Sequence, residues 1–228
     1  MEELLRRFRE AQLGLTKLAQ RDLDDLWKLL ENRPPLEVKA LLQEAFPQIA
    51  QDYGRMAALT ASEFYADMRK EAGVPGLYKP YSAAPGETAA LQASARWGIG
   101  PLFQATPDYA STLVLLGGAL QRNVFNTSRK TIELNSRKDP AKPRFARVPQ
   151  GPTTCKWCLM LASRGAVYTD KKSAGDMGHQ HNDYHDHCNC EALPVFGQKD
   201  YAVLQKTHGY NPDDLYDQYR ALAAQEGA

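Results

Sequence analysis

The stretch that decides the fold lies late in the chain. It reads Cys155-Lys-Trp-Cys158, then 26 residues, then His185-Asp-His187-Cys188-Asn-Cys190. Residues 155–190 contain all four cysteines of this 228-residue chain and four of its five histidines. Cysteine is a scarce residue, so four placed at random would rarely fall within one window of 36 positions. This concentration indicates a local need for nitrogen and sulfur ligands or for reactive thiols.

The spacing inside this window is typical of a tetrahedral metal site. Cys155 and Cys158 are spaced as a knuckle, in which a turn lets two thiolates face one ion about 2.3 Å away. If residues 188–190 are extended, the two distal cysteines share a face, because side chains alternate along a strand. We expect a structural Zn²⁺ held by the four cysteines, or by the same set with His185 in place of one distal cysteine. The candidate metal ligands are therefore Cys155, Cys158, His185, Cys188 and Cys190.

The other histidines and the bulk composition narrow the setting of this site. His179 and His181 lie in a polar loop and are expected to be solvated. The chain begins with a charged amphipathic segment, so we expect it to fold in a reducing cytoplasm, where clustered cysteines favour metal binding or catalysis over disulfides. The net charge of +1, from 28 basic and 27 acidic residues, gives no global case for binding nucleic acid or an anionic membrane. The most apolar run, residues 113–120, is far shorter than the about 20 residues of a membrane-spanning helix.

Four other interpretations of the cysteine window stay open. The cysteines could form disulfides in one of three pairings, or they could be buried thiols without metal. A cysteine protease would pair a thiolate with a nearby histidine base, and the candidates are Cys155, Cys158, His185 and His187. Such a thiolate could not also be a metal ligand. A ββα-metal nuclease would use His185-Asp-His187, but the second Cys-x-x-Cys and the helix that follows it in such sites are missing.

Upstream of this window the chain is predicted to be helical. Apolar residues recur with a period near 3.6 over residues 3–31, and Pro35 should end that helix. A second helical stretch is predicted over residues 36–72, kinked or divided at Pro47 because proline lacks the donor that the helix needs. An ordered loop follows at residues 73–88, and two further helices are predicted at residues 88–100 and 107–134.

A change of composition marks the predicted domain boundary. Residues 136–150 alternate basic side chains with prolines and are predicted to form an extended connector. After it come short runs with β character, at 145–148, 166–168 and 192–196, and a C-terminal helix over 213–226. The predicted fold class is α+β, with a helical domain (1–135), the basic connector (136–150) and a small β-rich zinc-knuckle domain with a C-terminal helix (151–228).

One stretch of the chain carries a family resemblance. Arg147-Val-Pro-Gln-Gly-Pro-Thr-Thr-Cys155-Lys-Trp-Cys158 is followed by Tyr184-His185-Asp-His-Cys188-Asn-Cys190 and Pro194-Val195. This pattern resembles the minor head proteins of tailed phages related to protein F of phage Mu, and is most similar to versions from phages of actinobacteria. In that family a Cys-x-x-Cys precedes a His-x-x-Cys-x-Cys, which His185, Cys188 and Cys190 match one by one. The N-terminal half is also similar, so the resemblance covers most of the chain.

The resemblance implies a role in head morphogenesis. Such minor capsid proteins enter the procapsid in few copies and are expected near the portal, so the implied partners are the portal protein, the scaffold and the major capsid protein. The implied location is the host cytoplasm during assembly and then the virion interior. The basic connector leaves open a contact with packaged DNA. Close relatives are often labelled capsid maturation proteases, which makes proteolysis the alternative function.

Overall fold

The computed structural model of the protein describes residues 1–150, 153–169 and 186–226. Within these residues the chain forms seven α-helices, one 3-10 helix and two β-strands. In chain order they are α1 (Glu2–Leu30), α2 (Pro35–Glu71), α3 (Thr88–Gly98), the 3-10 helix (Gly100–Phe103), α4 (Tyr109–Lys138), β1 (Arg144–Val148), α5 (Lys156–Ala162), β2 (Glu191–Val195), α6 (Gln198–His208) and α7 (Pro212–Glu226). A mostly helical chain with one small sheet confirms the α+β class in its broad form.

Helices α1 to α4 form a bundle around one hydrophobic core. Each helix contributes an apolar stripe to this core, with Trp27, Phe46, Leu91 and Leu120 as representative buried residues. Helix α4 packs against α1, α2 and α3, and it also contacts both strands. The bundle therefore places one long helix directly behind the sheet. None of the helices in the described part of the chain has the length and apolar character needed to cross a membrane.

Pro47 lies inside α2, which runs unbroken from Pro35 to Glu71, so of the two predicted effects, a kink or a division, the division does not occur. Proline has no N–H to donate to the carbonyl oxygen four residues earlier, which belongs to Gln43. Gln92 of α3 supplies the missing donor, because its Nε2 donates to the Gln43 carbonyl at 3.2 Å. A contact from a different helix thus compensates for the proline.

The two strands form an antiparallel sheet in which Arg144 pairs with Val195 and Val148 pairs with Glu191. The predicted β runs at 145–148 and 192–196 are thus confirmed as strands, whereas the run at 166–168 contributes only an isolated bridge between Tyr168 and Phe145. A second hydrophobic core packs the sheet against the helices. Its buried residues come from α1, α2, α4, both strands and the C-terminal region, and they include Leu5, Phe64, Ile132, Phe145, Leu193 and Tyr210.

The predicted basic connector contains regular structure. Residues 136–138 complete α4, and residues 144–148 form β1, in which four of the five residues are buried. The turn between them is held by Asp139, a fully buried carboxylate that accepts hydrogen bonds from Arg69 Nε at 2.9 Å and Tyr65 Oη at 3.2 Å. The division into two domains stays a prediction, although the core beside the sheet uses residues from both sides of the proposed boundary.

Candidate metal centre

The first half of the cysteine motif lies at the start of α5. Cys155 is the residue that precedes this helix, and its Sγ accepts a hydrogen bond from the Cys158 N–H at 3.4 Å. A capping side chain turns back toward the first turn of its helix, so the two sulfur atoms lie on the same side. The Cys-x-x-Cys motif therefore spans a helix start rather than an isolated turn.

The second half of the motif lies along α4. Gln121 Nε2 donates to Asn189 Oδ1 at 2.8 Å, and Arg122 Nη1 lies 3.0 Å from Asp186 Oδ1. These polar contacts hold both ends of the segment 186–190 against the helix. Consequently the distal cysteines are positioned by a long helix of the bundle and do not depend on the sheet alone.

Arg129 of α4 fixes the backbone between the distal cysteines. Its Nε donates to the carbonyl of Cys190 and its Nη2 to the carbonyl of Cys188, both at 2.8 Å. Its Nη1 donates to Asn126 Oδ1 at 3.0 Å, and its guanidinium lies 5.2 Å from the ring centroid of Phe125. Because the guanidinium is planar and rigid, these bonds set the relative orientation of the two cysteine residues.

The ring of His187 lies against α4 at Gly118, where a residue with a Cβ would not fit. Its backbone has a φ of 60°, which is uncommon for a residue with a side chain. A Cβ added to Gly118 would lie 2.5 Å from His187 Nε2 and 2.9 Å from Cδ2, so the imidazole ring rests on the bare backbone of the helix. His187 lines the same small cavity as the cysteines, but its ring nitrogens do not belong to the tight group that the sulfurs form.

The sulfur atoms of three cysteines lie close enough together to hold one metal ion. Cys158, Cys188 and Cys190 are buried, and their Sγ atoms all lie within 4.8 Å of one another. The Sγ atoms of Cys158 and Cys188 are 3.7 Å apart, and tetrahedral bonds of about 2.3 Å to one Zn²⁺ require a separation of about 3.8 Å. No disulfide joins any of the four cysteines.

A cavity of about 30 Å³ lies at the centre of the cluster. All four cysteines line it, and Cys155 approaches from the exposed side while the other three close it from within. This volume suits a single ion or water molecule and excludes an organic substrate. The sulfurs of Cys158, Cys188 and Cys190 therefore fit one metal ion such as Zn²⁺, and Cys155, whose Sγ lies outside this tight group, lines the same cavity.

Positive charge surrounds the cluster. Arg129 and Arg147 are both buried, and Arg147 Nη2 lies 3.7 Å from Cys158 Sγ. The pKa of the Cys188 thiol is lowered, first because Cys158 donates to its sulfur, then because of Cys190, with the charge of Arg129 adding to the effect. A thiolate is the form that binds metal, and buried guanidinium groups offset the negative charge of several thiolates around one divalent ion.

The sequence-predicted site residues are thus partly brought together. Cys155, Cys158, Cys188 and Cys190 meet at one cavity, and His187 lies at its edge. His179, His181 and His185 lie outside the described residues. The supporting residues of α4, which are Gly118, Gln121, Arg122 and Arg129, were not predicted from the sequence. Their spacing of three, four and eleven residues from Gly118 places them on one face of a helix, but it contains no signal for what that face contacts.

Fold and site together define a mostly helical α+β protein that holds a buried cysteine cluster against helix α4. The chain belongs to the VG15 protein family, whose model matches residues 2–222. It is similar to the Gene 15 protein of Mycobacterium phage D29, with 32% identity over 160 residues, which covers 63% of this chain and 54% of that protein. The chain therefore spans about half the length of this curated relative. These matches confirm that it is a protein of an actinobacteriophage family. No solved structure matches the chain.

Proposed function

We propose that the protein is a minor head protein of the kind related to protein F of phage Mu, and that it acts in procapsid assembly near the portal. Its contacts would be with the portal protein, the scaffold or the major capsid protein. A structural Zn²⁺ held by Cys155, Cys158, Cys188 and Cys190 would stabilise its C-terminal part. Membership in an actinobacteriophage family supports the phage setting, and the motif resemblance supports the head.

The observation that carries the structural role is the closure of the cysteine cavity. Three of the four thiols are at most 4% exposed, and the cavity between them has room for an ion only. Closed sites with four protein ligands are structural, whereas catalytic zinc keeps an open position for water or substrate. The function of the protein would then reside on other surfaces, which the metal site holds in place.

A capsid maturation protease remains the second candidate, because one observation favours it. Cys155 is the exposed thiol, and it lines the same cavity as His187. A thiol and an imidazole at one site are the parts of a nucleophile and its base. Two contacts argue against a protease, because they occupy the groups that would react. The Nε2 edge of His187 rests on Gly118, and the Cys155 sulfur caps α5.

Location inside the phage particle tests the assembly role. Procapsids and virions purified from infected cells should both contain the protein at a few copies per portal, as measured by quantitative mass spectrometry. A pull-down on the portal protein should recover it from the same lysates. Absence of the protein from both procapsids and virions would contradict the proposal.

Two substitutions separate the structural role from the protease. Cys155→Ser keeps a good capping side chain at the start of α5 while it removes one thiolate. His187→Gln removes the candidate base. We expect cleavage of the capsid and scaffold proteins to proceed in phage carrying either variant, and we expect Cys155→Ser to lower the bound zinc from about one per chain. Abolished cleavage with unchanged fold and zinc content would establish the protease instead.

A further inference from the structure

A second and larger cavity lies away from the cysteine motif. Its volume is about 530 Å³, and it opens between the turn at 141–144, the segment 164–167 and the start of α6. Three cationic side chains line it, those of Lys142, Arg144 and Arg164, and the described residues that form its wall include no carboxylate. We propose that this basic cavity binds a phosphate group of a nucleic-acid backbone. The inference is independent of the proposed zinc site and of the proposed place in the phage head.

The three cations of the basic cavity are available to a ligand. All three side chains are exposed. Arg144 Nη1 donates to the carbonyl of Val167 at 2.8 Å, and Lys142 Nζ donates to the carbonyl of Arg137 at 3.1 Å. These carbonyl partners orient the side chains but do not neutralise their charge. Since like charges that line one concave surface repel each other, an anion bound among them is stabilised.

The turn that carries Lys142 is held in an unusual conformation by buried groups. Lys142 has a φ of 49°, in the left-handed region that residues with side chains rarely adopt. Its N–H donates to the carbonyl of Asp139 at 2.9 Å, and Asp139 Oδ1 accepts from the Ala141 N–H at 2.9 Å. Asp139 is itself bonded to Arg69 in the core. The position of Lys142 is therefore fixed before any ligand arrives, which lowers the cost of binding.

The opposite wall adds backbone donors to these cations. Helix α6 begins after Gly197, which has no side chain to cap the first turn. The free N–H groups of a helix start attract anions. The one carboxylate of this turn, Asp200, is buried, and its Oδ2 accepts the Phe196 N–H at 2.8 Å. It is thus turned inward, and the cations remain the charges that face the cavity.

The surroundings favour a polyanion over a single small ion. Arg137 and Lys138 form the last turn of α4, immediately before the turn that carries Lys142. Lys199 follows Gln198 in the first turn of α6. Cationic residues thus continue past the cavity on both sides along the chain. Arginine side chains bind phosphate oxygens through paired donors, which suits Arg144 and Arg164 to successive contacts with one backbone.

Binding of labelled duplex DNA to the full-length protein tests this assignment. Fluorescence anisotropy with a duplex of about 20 base pairs, repeated over a series of salt concentrations, gives the Kd and its salt dependence. We expect Arg144→Gln and Arg164→Gln each to weaken binding by about tenfold at low salt and to reduce the slope of log Kd against log salt by about one. Arg96→Gln on α3 removes the same charge from an exposed site outside the cavity and should leave both values unchanged.

Competition with inorganic phosphate distinguishes binding of a nucleic acid from binding of a free phosphate ion. Competition by millimolar phosphate should displace DNA from the wild-type protein, and direct phosphate binding should be weaker than DNA binding. Binding of phosphate without DNA would overturn the nucleic-acid assignment. Equal effects of the three substitutions, or no binding of either probe, would overturn the cavity as an anion site. Because Arg144 also donates to the Val167 carbonyl, its substitution can destabilise the fold, so the thermal midpoint of each variant must be measured. If Arg144→Gln is unfolded, the Arg164→Gln variant alone decides whether the cavity binds DNA.

Discussion

The helical bundle (α1 to α4) and the cysteine unit (residues 153–169 and 186–195) are stabilised in different ways. The bundle buries a large set of aliphatic and aromatic side chains between four helices. The cysteine unit has one short helix and one strand, and its own buried cluster consists of three cysteines. It shares its remaining core with α1, α2 and α4. Hydrophobic burial is enough for the bundle, whereas the unit packs against α4 and would gain further stability from the proposed metal.

The largest expected effect is the loss of the cysteine unit when its metal is removed. Cys188→Ser, or treatment with a strong chelator, should remove the bound zinc, whose apparent binding free energy in small sites is about 10–16 kcal/mol. Residues 186–195 and α5 should then lose their hydrogen-exchange protection, because three buried thiols without an ion are a poor core. Exchange in α1 to α4 should change little. Hydrogen-exchange mass spectrometry with metal analysis measures both regions in one experiment.

Two results would contradict this difference between the regions. If the chain purifies with its cysteine unit protected and without metal, the thiols are merely buried. If chelation unfolds the bundle together with the unit, the two regions form one cooperative structure. The substitution Lys156→Gln, at a half-buried residue next to Cys155 in the same motif, is the matched control and should preserve the metal.

The second effect acts on the bundle alone. Phe46→Ala empties a fully buried site in the bundle core and should lower the free energy of unfolding by about 3–5 kcal/mol. The folded variant should still bind zinc in the wild-type ratio, since Phe46 belongs to a different core from the one beside the sheet. Urea unfolding and elemental analysis check the two parts. Leu36→Ala, at a residue that is 71% exposed, is the control. Loss of zinc from folded Phe46→Ala would show coupling.

The third effect concerns the contact between the two regions. Gly118→Ala would place a Cβ 2.5–2.9 Å from three atoms of the His187 ring, so the segment 186–190 would have to move away from α4. We expect a loss of about 1–3 kcal/mol, as for other overpacked sites, and weaker zinc binding. Gly117→Ala is the matched control. Its Cβ would meet only the end of the flexible Gln20 side chain, and helix propensity favours alanine by about 1 kcal/mol. Thermal unfolding and zinc competition compare the pair.

Features that depend on local sequence were predictable. The helix stop before Pro35, the loop before α3, the two strands and the C-terminal helix follow from period, proline and turn composition. The meeting of the four cysteines at one cavity follows from their spacing. Helix α6 was missed because only Asp200 and Leu204 are buried in it, which leaves almost no apolar stripe.

Features that depend on distant residues were not predictable. Pro47 was expected to kink or divide a helix, and the donor that replaces its missing N–H comes from Gln92, 45 positions later in the chain. The Arg129 contacts to the distal cysteines likewise join residues about 60 positions apart. An arginine inside an amphipathic helix pattern is indistinguishable from a solvated one until the partner segment is known.

The smallest expected effect tests whether the C-terminal helices share the stability of the bundle. His208 of α6 is partly buried, and burial, followed by repulsion from Arg9 of α1, lowers its pKa below the ordinary value of 6.5. As the pH falls, His208 therefore takes up a proton at a higher pH in the unfolded chain than in the folded chain. The contribution of His208 to stability is fully present above pH 6.5 and is lost as the pH falls through the lowered pKa.

His208→Gln should remove this part of the pH dependence. Urea unfolding at about pH 7.5 and pH 5.5, on either side of the ordinary histidine value, should show a smaller loss of stability on acidification for the variant than for the wild type. Protonation of the cysteine thiols also weakens zinc binding in acid, but this effect is common to both proteins and cancels in the difference. An identical pH dependence of the two would mean that α6 separates from α1 before the bundle unfolds, because a histidine already exposed to solvent no longer senses Arg9 or the core.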